Sequence, residues 1–390
     1  MLNFEYNTPT KVIFGKGAEE GTGTLVKEQG CKKVLVHFGG KSAKASGLLD
    51  RICHSLEKEG ISYVTLGGVQ PNPRLSKVYE GIELCKKEGV DFLLAVGGGS
   101  VIDSAKAIAY GLANEGDVWE LYEKKRVPEG CYPVGAVLTI AAAGSEMSNS
   151  SVITKEEGWL KRGLNTEYAR CKFAIMNPEL TYTLPAYQTA SGCVDILSHT
   201  QERYFTLEEG TELTDEIAEG LMRTVICNAK LLMTQPEDYT ARANVMWASS
   251  VSHNGLTGCG TMGDWACHQL EHELGGMFDV AHGAGLAAVY GSWARYVYKV
   301  KPERFAKFAE KVFGILDGSV EEKAVAGIEA MEGFYRSIGM PTNIHELGIV
   351  LTDEQIEELA EKCTFFGKRK IGAFMPLDKE DIIKIYHMAK

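Results

Sequence analysis

Four residues in the second half of the chain are of the types that bind a divalent metal ion: Asp195, His199, His268 and His282. One carboxylate and three imidazoles form a complete ligand set for Fe²⁺ or Zn²⁺. Asp195 and His199 are four positions apart, so on a helix they project from one face. A single buried histidine is usually a hydrogen-bonded core residue, but burying several ionisable groups together is costly unless something coordinates them. The four residues therefore predict a metal site.

A second metal pattern overlaps the first. His268, Glu271 and His272 match the H-x-x-E-H signature of inverted zinc peptidases, in which both histidines bind zinc and the glutamate activates water. Such a short match is easily met by chance, and it leaves Asp195 and His199 without a role. A metal-dependent hydrolase is nevertheless the main alternative interpretation, and a nucleotide-binding regulatory protein with a structural metal is a third.

A glycine turn in the first half could bind phosphate. Residues 97–99 are glycines that follow an apolar segment, and Ser100 is predicted to open a helix whose first amides favour a diphosphate. The spacing is not G-x-G-x-x-G, so a purely structural turn is the alternative. A side chain at Gly98 is expected to block the cofactor without disturbing the flanking strand and helix. Asp103 and Lys106 follow on the same helix, either as a surface ion pair or as part of the site.

The elements around these motifs differ between the two halves of the chain. Before Pro185, short apolar strands alternate with amphipathic helices, which predicts a parallel sheet covered by helices, with a ligand at the carboxyl ends of the strands. After Pro185 the pattern is helical throughout. We therefore predict an α/β, Rossmann-like dinucleotide-binding domain at residues 1–184 and an all-α metal and substrate domain at residues 185–390. The predicted elements are strands at 33–38, 62–66, 91–96, 134–140 and 173–176 and helices at 48–58, 75–88, 101 onward, 187–205, 215–234 and 242–254.

Composition restricts the partners. The net charge is -11 with no basic run, which argues against nucleic acid or an anionic membrane as a partner. No apolar run reaches the roughly 18 residues that span a bilayer, and no signal segment opens the chain, so a cytoplasmic location is predicted. The ten cysteines include no Cys-x-x-Cys pair, so reduced thiols are expected.

Several motifs together resemble one family. Residues 9–17 (PTKVIFGKG), 71–73 (PNP), 97–106 (GGGSVIDSAK), 144–147 (GSEM) and 268–286 are similar to the iron-containing (group III) alcohol dehydrogenases, in particular the butanol dehydrogenase and broad-range aldehyde reductase branch. The motifs occur in the family's order and cover essentially the whole chain. The resemblance implies an NAD(P)H-linked, metal-dependent reaction that interconverts aliphatic aldehydes such as butanal and primary alcohols. In that reaction the metal polarises the carbonyl and the reduced nicotinamide delivers hydride.

The resemblance also implies residue roles. Asp195, His199, His268 and His282 fall on the family's metal ligands, with Fe²⁺ and Zn²⁺ equally compatible. His272 falls on a catalytic histidine that lies near the nicotinamide and does not bind the metal. A homodimer is also expected, with a strand at Lys11–Phe14 pairing across its interface. Ala143 stands where the family usually has threonine, which removes one expected cofactor contact. The implied cofactor-binding residues are Asn72, Gly98, Gly99, Ser100, Asp103, Thr139, Ser145, Lys161 (toward a ribose hydroxyl) and Leu180.

The segment after the strand predicted at residues 33–38 bears on the choice of nicotinamide. In doubly wound domains an acidic residue near this position usually binds the ribose 2′-hydroxyl and excludes a 2′-phosphate. This chain instead has Gly39, Gly40 and Ser42, which we predict to bind the cofactor, together with Lys41 and Lys44. Either lysine could approach a 2′-phosphate, or both could be solvated helix-start charges. We predict that NADP(H) is preferred over NAD(H).

Overall fold

The computed structural model describes residues 1–390, which divide into two compact units. One unit is Asn7–Thr183, and the other combines Met1–Tyr6 with Leu184–Lys390. The sequence places the boundary after residue 184, but no local pattern indicates that the first six residues belong with the helical unit. The amide of Leu2 donates to the carbonyl of Gly260, 2.9 Å away, which ties the N-terminus to that unit. All ten cysteines are free thiols, and no helix is long and apolar enough to cross a membrane.

The first unit is built on a parallel sheet, as predicted. The strands of this unit are β1 (Lys11–Phe14), β2 (Lys33–Phe38), β3 (Ser62–Leu66), β4 (Phe92–Gly97), β5 (Val134–Leu138), β6 (Ser150–Lys155), β7 (Leu160–Asn165) and β8 (Phe173–Met176). Six of them form the sheet in the order β1-β8-β5-β4-β2-β3, and every neighbouring pair is parallel. The central strand β4 is buried at every position, which explains its continuous apolar sequence.

An antiparallel hairpin of β6 and β7 lies outside this sheet and was not predicted. Its strands carry serine, threonine, lysine, arginine and asparagine among few apolar residues, so the two-residue alternation of a half-buried strand is weak.

Fifteen α-helices complete the two units, and the second unit is mostly helical, as predicted. They are α1 (Thr22–Glu28), α2 (Ser42–Ala45), α3 (Leu48–Lys58), α4 (Leu75–Glu88), α5 (Gly99–Ala113), α6 (Trp119–Tyr122), α7 (Ala186–Tyr204), α8 (Glu212–Thr234), α9 (Tyr239–His253), α10 (Ala266–Phe278), α11 (His282–Val297), α12 (Pro302–Phe313), α13 (Val320–Ser337), α14 (Asp353–Cys363) and α15 (Lys379–Ala389).

The register of the sheet gathers three loop segments at one edge. Phe38 of β2 is paired with Val96 of β4, and Gly97 of β4 is paired with Leu138 of β5. The chain segments that follow these strands therefore start side by side at the carboxyl edge, where doubly wound sheets bind their ligands.

Three helices of the second unit carry the predicted metal ligands, and small residues let two of them approach closely. A Cβ atom at Gly283 on α11 would lie 1.9 Å from the carbonyl oxygen of Ser191 on α7, so only glycine fits there. Helix α10 ends at Phe278, its C-cap residue Asp279 has a left-handed φ of 53°, and α11 begins at His282. The sharp turn brings the ends of α10 and α11 together beside α7.

Candidate metal centre and cofactor turn

Three of the four predicted metal ligands come together in the helical unit. One ligand atom each from Asp195 (α7), His268 (α10) and His282 (α11) lies within 4.8 Å of the others. Oδ1 of Asp195 is 3.9 Å from Nε2 of His268 and 3.6 Å from Nε2 of His282. A tetrahedral ion with bonds of about 2.0–2.1 Å separates its ligand atoms by roughly 3.3 Å, so a small inward movement completes such a shell.

The centre has the properties of a metal site. Oδ1 of Asp195 and Nε2 of His268 are buried and make no hydrogen bond, which is costly unless an ion binds them. The side chain of His282 is 26% exposed, against 5% for Asp195 and His268, so His282 is the most solvent-accessible of the three. The residues therefore fit a divalent ion.

The charge state of these groups suits an ion as well. Burial alone would raise the pKa of Asp195, but the neighbouring imidazoles of His199 and His282 hold it well below its usual value. Burial opposes charge on His268, yet Asp195 and Glu202 together raise its pKa to about 9. A divalent ion at this position can take the place of the proton that these carboxylates attract.

His199 lies beside the group rather than within it. Its ring centroid is 4.4 Å from that of His268. Its Nδ1 is 2.9 Å from the backbone oxygen of Asp195 and 3.0 Å from Oδ1 of the same residue, and the carbonyl is the partner with hydrogen-bond geometry. Burial lowers the pKa of His199 to about 4, so the ring is neutral. With Nδ1 donating to the carbonyl, Nε2 keeps its lone pair for a metal.

Two carboxylates face predicted ligand histidines; sequence reasoning missed Glu202 and gave Glu271 a different role, that of the water-activating glutamate in the peptidase pattern. Oε1 of Glu202 is 3.0 Å from Nδ1 of His268, and Oε2 of Glu271 contacts Nδ1 of His282. Glu202 is three positions after His199 on the same helix, so the helical spacing that identified Asp195 and His199 could have included it.

The geometry does not support the zinc-peptidase interpretation. That role requires Glu271 to contact water at a metal held by His268 and His272. Glu271 is instead fully buried and bonded to His282. The rings of His268 and His272 are 6.5 Å apart and nearly perpendicular, and the ligand atoms that lie within 4.8 Å of one another group His272 with Glu271 and His282 rather than with His268.

Other aromatic residues line the centre. The buried ring of His272 lies 5.9 Å from that of His282. Sequence reasoning did not select His253, the last residue of α9, whose ring is 4.0 Å from His199. Trp265, with a left-handed φ of 64°, stands edge-on to His199 and His268. No spacing pattern in the sequence links His253 to the other histidines.

The glycine turn begins a helix, one residue earlier than predicted. Helix α5 starts at Gly99, and its N-cap residue Gly98 provides no side-chain cap. The amides of Val101 and Ile102 donate to the carbonyl of Gly98, and the amides of Gly99 and Ser100 precede them at the open end of the helix. Free amides at this end suit a diphosphate.

The glycines of this turn differ in their surroundings, and the surroundings of Gly98 make it a poor test position, because a side chain there meets Ile140 outside the flanking strand and helix. A Cβ atom at Gly98 would lie 2.1 Å from Cγ2 of Ile140, so a side chain there disturbs packing. A Cβ atom at Gly99 would meet Oγ of Ser145 at 3.2 Å and Cβ of Ala143 at 3.3 Å, which is tight but tolerable. Gly99 is therefore the cleaner position at which to test cofactor approach.

Asp103 and Lys106 support the turn and do not form a surface ion pair. Lys106 is completely buried, and its Nζ donates to the carbonyls of Ser145, Ser148 and Ser150 at 2.7 to 2.9 Å. Oδ2 of Asp103 accepts a bond from the amide of Val152. Both side chains hold the segment that contains Ser145 against α5, which places that segment beside Gly99.

The remaining predicted cofactor residues lie in the same unit. The amide of Thr139, directly after β5, donates to the carbonyl of Gly97, and Ser145 faces Gly99. Asn72 is buried with a left-handed φ of 51°, Lys161 is buried on β7, and Leu180 packs against the sheet core. Gly39 and Gly40 follow β2 at the carboxyl edge, and Ser42 opens the short helix α2. The structure thus groups Gly39, Gly98, Gly99, Ser100, Thr139 and Ser145 near the carboxyl edge of the sheet.

Comparison with known proteins identifies the family. The model for iron-containing alcohol dehydrogenases matches residues 9–178, and the model for the C-terminal part of the Fe-containing alcohol dehydrogenase family matches residues 189–390. The chain is 40% identical to the probable NADH-dependent butanol dehydrogenase 1 of Bacillus subtilis, over 99% of both chains. It is 34% identical to the NADPH-dependent aldehyde reductase YqhD of Escherichia coli, over the full length of both.

A solved structure agrees with these sequence matches. The crystal structure of NADH-dependent butanol dehydrogenase A from Thermotoga maritima superimposes with a TM-score of 0.96 at 40% identity, and covers 100% of this chain and 99% of the other. The chain therefore belongs to the iron-containing alcohol dehydrogenase family.

Proposed function

We propose that this enzyme interconverts aliphatic aldehydes and primary alcohols with a nicotinamide cofactor and one divalent metal ion. The observation that carries the proposal is the group of Asp195, His268 and His282, whose ligand atoms lie within 4.8 Å of one another and in which Oδ1 of Asp195 and Nε2 of His268 are buried without hydrogen bonds. Family membership supports the reaction, and the names of the relatives, butanol dehydrogenase and aldehyde reductase, support short aliphatic substrates.

Each part of the site has a proposed task. When bound, the metal supplies a Lewis acid and the reduced nicotinamide supplies hydride. Asp195, His199, His268 and His282 would hold the metal, and either Fe²⁺ or Zn²⁺ suits these ligands. His272, whose ring is 5.9 Å from that of His282, is proposed to hold or move the proton that the alcohol oxygen gains or loses.

The cofactor would bind at the carboxyl edge of the parallel sheet. The amides of Gly99 and Ser100 are proposed to face the diphosphate. Curated relatives include both NADH-dependent and NADPH-dependent enzymes, so the preference for NADP(H) rests on this chain's own residues. Those residues are Gly39, Gly40 and Ser42, with no acid to repel a 2′-phosphate.

One assay tests the reaction. Metal-free protein is reloaded with Fe²⁺ or Zn²⁺ and mixed with butanal and NADPH or NADH, while the absorbance of the reduced cofactor is followed. We expect cofactor oxidation that requires both aldehyde and metal. Metal binding without any aldehyde-dependent oxidation of either cofactor would contradict the proposal.

We further propose a homodimer that forms through β1. This strand is at the edge of the sheet and pairs only with β8. The amides of Lys11 and Gly15 donate to the β8 side, so the alternation of a strand directs the amides of Val12 and Phe14 to the open edge. Val12→Pro removes one outward donor and should shift the protein from dimer to monomer in sedimentation equilibrium. A wild-type monomer would contradict the proposal.

A further inference from the structure

Two buried glutamates contact the outer nitrogens of the candidate metal ligands. We propose that Glu202 and Glu271 are positioning residues, which fix the ring orientation of His268 and His282 and strengthen metal binding through their charge. This proposal rests on the proposed function, because it assumes a divalent metal at the centre.

Glu202 holds His268 at two points. Its Oε1 is 3.0 Å from Nδ1 of the ring and 2.8 Å from the backbone amide of the same residue. A Nδ1–H that donates to this carboxylate fixes the tautomer in which Nε2 carries the lone pair. That Nε2 is the buried atom 3.9 Å from Oδ1 of Asp195, so the bond directs the lone pair toward the predicted ion.

Glu271 has the same relation to His282. Its side chain is fully buried, and Oε2 contacts Nδ1 of the ring, while Nε2 is 3.6 Å from Oδ1 of Asp195. Gly285 provides the space for this carboxylate, because a Cβ atom there would lie 2.8 Å from Cγ of Glu271. The Gly283-x-Gly285 sequence after His282 thus serves two purposes: close approach of α11 to α7 and room for Glu271.

The burial of Glu202 needs an explanation that fold stability alone does not supply. Burying carboxylates costs free energy unless cations or several donors compensate. Oε2 of Glu202 is buried without a hydrogen bond, so backbone capping alone does not account for a charged group at this position. A ligand histidine that donates to a carboxylate is a more basic ligand, and loss of such a partner typically weakens metal binding 10–100-fold.

The test separates charge from shape. Glu202→Gln and Glu271→Gln keep an oxygen that can accept from Nδ1 but remove the charge. Glu219→Gln is the matched control, because Glu219 is also fully buried, accepts from the hydroxyl of Tyr204, and makes its one ion pair with Lys307 rather than with a predicted metal ligand. Zn²⁺ affinity is measured by competition with a chromogenic chelator, and NADPH affinity by fluorescence titration.

We expect each site variant to bind Zn²⁺ roughly 10–100-fold more weakly than wild type. Glu219→Gln should bind Zn²⁺ as wild type does, and all three variants should keep wild-type NADPH affinity. The visible absorption of the Co²⁺-loaded protein should change in the site variants alone. Because each glutamate contacts a different histidine, either site variant can test the proposal if only one of the two folds.

Three results would overturn the proposal. Unchanged Zn²⁺ affinity in both site variants would show that the charges are irrelevant to the metal. An equal loss in Glu219→Gln would show a general packing effect, and failure of both site variants to fold without metal would assign the glutamates to the fold. If wild-type protein binds no divalent metal at all, both this proposal and the proposed function fail. If wild-type protein binds metal but the site variants bind it equally well, only this proposal fails.

Discussion

The proposed cofactor turn and the candidate metal centre offer different chemical groups to their ligands. The turn offers backbone amides of Gly99 and Ser100 at the start of α5, whereas the centre offers side chains from three helices. A side-chain site is visible in a sequence because its residue types are chemically distinctive. A backbone site is visible only through its glycines, and glycines are also required by packing, as Gly98 against Ile140 shows. The comparison suggests that the two sites respond differently to substitution.

The largest expected effect is on the side-chain site. His268→Ala and His282→Ala should abolish turnover and lower metal content, because each removes a predicted ligand. His272→Ala should keep its metal and lose mainly rate, by roughly 10²–10⁴-fold, if it moves a proton. Metal analysis and steady-state kcat decide between these roles. If His272→Ala loses its metal while His282→Ala keeps it, the peptidase-like ligand set gains support.

The unit that contains the parallel sheet should lose stability in acid through His37. This ring is fully buried, with Nδ1 near the carbonyl of Leu66 and Nε2 near the hydroxyl of Ser104. Burial lowers its pKa from 6.5 to about 4, so below pH 6.5 the unfolded chain binds a proton that the folded chain does not. Stability is therefore lost as the pH falls from 6.5 to 4, by at most about 3 kcal/mol.

Urea unfolding at pH 7 and pH 4.5 measures this loss. His37→Gln keeps a polar side chain but cannot titrate, so its stability should fall less over the same interval than that of wild type. Equal losses in the two proteins would show that His37 does not govern the acid response.

Substitutions in the turn should separate packing from cofactor binding. Gly98→Ala places Cβ against Ile140 and should lower the free energy of unfolding by about 1–3 kcal/mol. Gly99→Ala has tight but tolerable contacts, so it should fold well and bind NADPH about tenfold more weakly, because a methyl group obstructs approach to the amides. Urea unfolding and fluorescence titration are the two measurements. Unchanged NADPH affinity in Gly99→Ala would mean that the turn is only structural.

Much of the fold was predictable because the hydrophobic periodicity of each half is strong. Strand β2 and helix α3 have the predicted bounds, and the parallel sheet follows from their alternation. The hairpin of β6 and β7 was missed because its polar strands carry little periodic signal. The attachment of Met1–Tyr6 to the helical unit was missed because it depends on contacts far apart in sequence.

The predicted metal ligands could be selected from the sequence because their residue types are those that bind divalent metals. Asp195, His268 and His282 were selected by type, and the structure places them together. Glu202 was not selected, and Glu271 was selected only as the water-activating residue of the peptidase pattern, because only tertiary packing shows that each glutamate faces a histidine. Lys106 was underestimated for the same reason, since the three carbonyls it binds lie about forty residues away.

The smallest expected effect concerns the choice of nicotinamide, which we expect to depend on the residues that follow β2. Gly39 follows β2 and has no acidic neighbour, so wild-type protein should prefer NADPH without excluding NADH. Aspartate fits at this position, because a Cβ atom there would meet Cγ2 of Val101 and the carbonyl of Val69 at an ordinary 3.7 Å. Gly39→Asp should therefore fold, repel a 2′-phosphate and shift the ratio of kcat/KM values toward NADH by about tenfold, or about 1.4 kcal/mol.

Lys41→Gln and Lys44→Gln are the matched tests of attraction to the 2′-phosphate, and each should weaken the use of NADPH but not of NADH if its lysine reaches the phosphate. Wild-type protein that favours NADH by tenfold or more would show that neither lysine takes part, and would make this segment solvated surface rather than part of the cofactor site.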